Sequence, residues 1–79
     1  MDWKRISLPH GSKLIKLHNF TFMLGGHSYI IEIDEFNDGS YAAHGEHSTD
    51  KNFVIESVSG TSLEGCLEAI IKKIEERKI

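Results

Sequence analysis

Residues 61–77 hold the pattern that most restricts the fold. Thr61 followed by Glu64 reads as a Thr-x-x-Glu capping box, a start signal for a helix. Leu63, Cys66, Leu67, Ile70, Ile71 and Ile74 then recur at i, i+3, i+4, i+7, i+8 and i+11. On a helix this spacing makes one apolar stripe. Glu68 and Lys72 form a favourable i,i+4 pair, and basic residues gather at the end that the helix dipole favours. Gly65 costs the helix about 1 kcal/mol relative to Ala and points to a close approach of helix to sheet. A helix with one apolar stripe needs a second surface to bury it, and the preceding residues must supply that surface.

They read as strands. From Lys13 to Leu24, Phe20, Phe22 and Leu24 alternate with Thr21 and Met23. Gly25-Gly26 suits a tight hairpin turn. A second strand, Ser28 to Phe36, places Tyr29, Ile31 and Ile33 on one face and Ile30, Glu32 and Asp34 on the other. Asn37-Asp38-Gly39 is the clearest turn signal. A third strand follows at Ser40 to Glu46, then a polar loop at residues 47–52, then a fourth strand at Phe53 to Val58, ended by Gly60. The expected fold class is α+β: an antiparallel four-stranded β-meander with one C-terminal α-helix packed on one face, β-β-β-β-α. Phe20, Phe22, Tyr29 and Phe53 are the expected core under the helix.

With 79 residues the chain makes a single domain, residues 1–79. It divides into an N-terminal arm at 1–12, the sheet at 13–58 and the helix at 61–77. In the arm, Trp3, Ile6 and Leu8 are candidates to cover one edge of the core, and Pro9-His10-Gly11-Ser12 reads as a turn. A composition of 39% hydrophobic and 27% charged residues is too apolar for a disordered chain. The single cysteine excludes an internal disulfide, so the chain is not a small disulfide scaffold. Apolar runs of two or three residues fall far short of the roughly 20 that a spanning helix needs. The expectation is a cytoplasmic protein in a reducing compartment.

The net charge of −3 hides an uneven distribution. Residues 32–68 carry nine carboxylates against Lys51 alone, a net −8, between two basic ends. One helix covers one face of a four-stranded sheet. The other face should hold Thr21, Met23, Ile30, Glu32, Asp34, Val54, Glu56 and Val58, a mixed apolar and acidic surface. The candidate partner-binding residues are Glu32, Asp34, Glu35, Asp38, Glu46 and Glu56. A protein partner with a basic surface or a second copy in a homodimer fits such a face. Residues 1–12 folding over it is the other option. Acidic neighbours argue against direct nucleic-acid binding, which favours basic residues around exposed aromatics. The basic ends, Lys4 and Arg5 with Lys72, Lys73, Arg77 and Lys78, offer only weak phosphate contacts.

Residues 28–74 resemble the HicB-like antitoxin domain. The resemblance rests on Ser28-Tyr29-Ile30-Ile31-Glu32-Ile33-Asp34-Glu35, on Asp38-Gly39-Ser40-Tyr41-Ala42-Ala43, and on Ser59-Gly60-Thr61-Ser62-Leu63-Glu64-Gly65-Cys66-Leu67-Glu68-Ala69-Ile70. The family's Pro-x-Leu-Pro-Gly-Cys segment is replaced here by the polar loop at 47–52. No ribbon-helix-helix or helix-turn-helix segment follows the match. The resemblance implies the toxin-facing half of such an antitoxin, which binds and blocks a small basic ribonuclease. The alternatives are a stand-alone, mobile-element-encoded inhibitor of a host or defence nucleic-acid-binding protein, or a structural homodimer.

No catalytic constellation stands out, and the expectation is a non-enzyme without cofactors. His44-Gly45-Glu46-His47 looks like a metal pair, but on a strand residues 44 and 47 point to opposite faces. Only Glu46 shares a face with His44 within that run, while His18 and His27 depend on strand pairing, so no metal site is assigned. Cys66 lies on the apolar stripe and reads as a buried, inert thiol. The chain has no Gly-x-x-x-x-Gly-Lys phosphate loop.

Overall fold

Gly25 and Gly26 take positive φ, 58° and 80°, the geometry of a two-residue hairpin matched to strand twist. The computed structural model, which describes residues 1–77, closes this hairpin with Leu24 opposite His27. β1 (Ile15–Leu24) and β2 (His27–Phe36) therefore pair antiparallel along their full lengths. At the next turn Asp38 Oδ1 accepts from the Ser40 backbone N–H at 2.9 Å and from its hydroxyl at 2.6 Å. Gly39, at φ 91°, reverses the chain into β3 (Tyr41–His47). β4 (Val58–Gly60) adds to the outer side of β3, giving the order β1-β2-β3-β4. α1 (Leu63–Arg77) packs across β2, β3 and β4. The fold is α+β, a four-stranded antiparallel meander with one C-terminal helix on one face, as the sequence pattern predicts.

Tyr29, Ile31 and Ile33 of β2, Ala43 of β3 and Cys66, Ile70 and Ile74 of α1 form the buried core. Leu63, Leu67 and Ile71 flank the stripe, half-buried. Burying a side chain such as Ile31 or Ile70 contributes about 1.5–3 kcal/mol. The close approaches of helix to sheet occur at Gly60, where a Cβ would sit 3.1 Å from Cys66 Sγ, and at Gly45, not at Gly65. A Cβ on Gly45 would sit 3.3 Å from Ile70 Cγ1 and 3.5 Å from Ile74 Cδ1. The nearest side-chain atom to a Cβ on Gly65 would be the Ser62 hydroxyl oxygen, which already accepts the Gly65 N–H at 3.0 Å. Ser62, one residue later than expected, is thus the N-cap in place of Thr61.

The fourth strand also differs from expectation. Residues 53–56 alternate in burial, with Phe53 and Ile55 half-buried and Val54 and Glu56 exposed; Ser57, expected inward, is exposed too, and residues 53–57 join no ladder. Only Val58–Gly60 pair with β3, so the paired strand starts later than expected and closes at Gly60, which stands opposite Tyr41. Val58 stands opposite Ala43 and packs against the core, not on the open face. Phe20 is 36% exposed, because α1 lies over β2–β4 and leaves β1 outside its cover.

In the arm, Trp3–Arg5 form one 3-10 turn, capped by Asp2, whose side chain accepts the Lys4 N–H. Pro9–Ser12 turn as expected, with the Ser12 N–H and hydroxyl both donating to the Pro9 carbonyl. Trp3 and Leu8 are half-buried and Ile6 is exposed. Lys4 reaches Glu35 on the helix-covered side of the sheet, at 2.9 Å. The arm is anchored there and leaves the open face bare. Among the described residues no helix is long and apolar enough to cross a membrane. Lys78, expected among the basic C-terminal residues, lies outside the described range.

Candidate functional site on the uncovered sheet face

Strand alternation places Ile30, Glu32 and Asp34 on the face opposite α1. The ladders add their neighbours: Thr21, Asn19 and Leu17 from β1, and Glu46, His44 and Ala42 from β3. Ile30, Leu17 and Met23 are 42%, 52% and 72% exposed, so nothing among the described residues covers them. A shallow groove crosses it, lined by Asn19, Ile30, Glu32, His44, Gly45 and Glu46.

Three groups converge at its centre. Glu32 stands directly opposite His44, and Asp34 lies two residues along on the same face. One carboxylate oxygen each from Glu32 and Asp34 and one imidazole nitrogen of His44 all lie within 4.8 Å of one another. His44 Nε2 is 3.3 Å from Asp34 Oδ2. The Glu32 carboxyl titrates above its ordinary range. The first cause is its hydrogen bond to Asp34, followed by partial burial and the Asp34 charge. Asp34 Oδ1 is fully buried and has no hydrogen-bond partner. These side chains can take up a proton, a cationic side chain or a metal ion.

The other expected binding residues lie elsewhere. Glu35 faces the helix side and is 8% exposed. It holds Lys4 at 2.9 Å and His18 Nε2 at 2.8 Å. Lys4 first, then His18, lower its pKa to about 2, against the opposing effect of burial. It ties the arm to the core. Asp38 is spent on its own turn, and Ser40 holds its carboxyl below the ordinary range. Glu56 sits in the irregular segment and lines a groove with Val54, Lys73 and Arg77 beside α1. Val54 leaves the open face with it. Glu32, Asp34 and Glu46 are the members that the structure brings onto one face.

The pairing of Glu32 with His44 is set by the β2–β3 register and is invisible to spacing along a single strand. The signal lay in the turn: once Phe36 closes on Ser40, counting back along both strands sets Glu32 beside His44. His47 points to the other face, as expected. Its Nδ1 accepts the backbone N–H groups of Thr49 at 3.1 Å and Asp50 at 2.9 Å, and its Nε2 lies 3.0 Å from His27 Nδ1. With Nδ1 accepting, Nε2 carries the proton and donates it to His27. The pair thereby organises the polar loop. Cys66 is buried, and burial pushes its thiol pKa up, in keeping with an inert role.

Comparison with protein-family models, curated proteins and solved structures yields no match.

Proposed function

We propose that the chain is a non-catalytic protein-binding module that docks its uncovered, acidic sheet face on a basic nucleic-acid-processing protein and blocks it. The observation that carries this reading is the grouping of Glu32, Asp34 and Glu46 beside exposed Ile30, Leu17 and Met23 on one sheet face. Exposed apolar side chains beside charged ones are common at protein interfaces, and carboxylates of one sign select a basic partner and speed its approach. The resemblance of residues 28–74 to HicB-like antitoxin domains names the partner's class, a small basic ribonuclease.

The test compares two charge reversals of different placement. A basic protein captured by the wild type is purified and titrated with Glu32→Lys/Glu46→Lys and with Glu56→Lys. The face variant should bind at least about tenfold more weakly at low salt, while Glu56→Lys binds like the wild type. Raising the salt to about 0.5 M should narrow that gap. Equal binding by both variants sinks the reading.

A second reading, self-association, is favoured by β1. It is an edge strand of ten residues with Ile15, Leu17, Phe20 and Met23 exposed. Such an edge is a template for another strand. Light scattering decides it: a monomer at high concentration removes this reading.

A further inference from the structure

We propose that Glu32, Asp34 and His44 form a binding site for a divalent first-row transition-metal ion, with zinc the ion that best suits the donor set. Three observations converge on it. First, the donors are mixed. One imidazole and two carboxylates suit zinc, whereas magnesium and calcium sites are built from oxygen alone. Second, the donors converge: one ligand atom from each residue lies within 4.8 Å of the other two. His44 Nε2 and Asp34 Oδ2 share a long hydrogen bond of 3.3 Å. Two donors bound to one ion at about 2.1 Å lie about 3.0–3.4 Å apart at tetrahedral or octahedral angles. Third, Asp34 Oδ1 is fully buried without a partner. The oxygen nearest His44 is Oδ2, so a cation would satisfy Oδ1 as well only by binding the carboxylate through both oxygens.

The sheet holds the donors in place. Glu32 and His44 are a directly opposed cross-strand pair in the middle of the β2–β3 ladder, with Asp34 two residues along from Glu32. Opposite Asp34 on β3 stands Ala42, too short to intrude. A metal ion would also offset the repulsion between two carboxylates forced together at i and i+2. Three protein ligands leave a coordination position for water or an incoming group. The histidine pair on the other face is the rival. There His47 Nδ1 is already taken by two backbone N–H groups and its Nε2 by His27, so a metal would have to displace them. The site shares Glu32 and Asp34 with the protein-partner reading but does not rest on it.

The experiment uses tag-free, chelator-treated protein titrated with zinc chloride by calorimetry. A site on each chain is expected. His44→Ala and Asp34→Asn should each weaken it at least about tenfold, and His27→Ala/His47→Ala should leave it unchanged. His44 is exposed, so His44→Ala should fold normally, which a thermal melt verifies. In a parallel NMR titration, manganese should broaden the resonances of residues 32, 34 and 44 before all others. Zinc binding that survives His44→Ala, binding lost only with the His27/His47 pair, or no binding at millimolar zinc each overturns the proposal.

Discussion

On β2, Tyr29, Ile31, Ile33 and Glu35 are buried, while Ile30, Glu32 and Asp34 between them line or border the open groove. One backbone and one pair of ladders support both sets. The difference lies in what stands opposite: α1 and the arm on one side, solvent on the other. The two carboxylates Glu35 and Glu32 show the consequence most directly. Glu35 meets Lys4 and His18 and is held ionised, with its pKa lowered to about 2. Glu32 meets Asp34 and is pushed the other way. One face is internally satisfied, and the other carries unmatched charge and apolar surface. The covered face is spent on the fold, and the bare face holds the groups that the proposed function uses.

The largest test of this contrast is a truncation on each side. Ile31 is fully buried against α1, so Ile31→Ala should cost about 2–5 kcal/mol, a large part of the stability of so small a domain. Ile30, one residue away, is 42% exposed, and Ile30→Ala should stay within about 0.5 kcal/mol. Urea unfolding measures both. If Ile30→Ala costs as much as Ile31→Ala, something covers the open face in solution, and a concentration-dependent midpoint would identify it as a second copy.

Both sets were legible in the sequence because alternation at residues 29–34 reports directly which side chains share a face. The helix stripe and the two glycine turns were equally plain, since each depends on neighbours within a few positions. Backbone pairing was less visible. Residues 53–56 alternate and do direct Phe53 and Ile55 inward, yet alternation reports side-chain direction and not whether a strand bonds the backbone. The cap was displaced by one residue because Thr61 and Ser62 are both capable caps. The role of Glu35 depended on Lys4, thirty-one positions earlier, and no local pattern announces a contact of that span.

The intermediate test concerns that contact. Glu35→Gln leaves Lys4 and His18 without their carboxylate and should cost about 1–3 kcal/mol at neutral pH. The pH dependence carries the sign. Glu35 has a folded pKa below its ordinary 4.5, so its contribution is complete above about pH 4.5 and is lost as pH falls towards 2. Denaturant midpoints measured from pH 6 to pH 2 should drop less steeply in Glu35→Gln than in the wild type. Parallel slopes would show that the arm contact holds no net charge interaction.

The smallest effect is expected on the bare face, and its sign is opposite. Glu32 is held above its ordinary pKa, chiefly by its contact with Asp34. A raised folded pKa on an acid means that the folded protein binds the proton more tightly than the unfolded chain. The contribution is therefore present at low pH and is lost as pH rises through the folded value. At neutral pH, Glu32→Gln removes one of two apposed negative charges while keeping a hydrogen-bonding side chain of similar shape. In chelator-containing buffer it should be as stable as the wild type or more so, by at most about 0.5 kcal/mol, the scale of exposed charge interactions. The gain should fade as the pH is lowered and Glu32 is protonated anyway. Glu32→Gln and Glu35→Gln, three residues apart in chain and on opposite faces, would then shift stability at pH 7 in opposite directions. A loss from Glu32→Gln comparable to that from Glu35→Gln would mean that the acidic groove is structurally satisfied after all, and the contrast between the faces would fail.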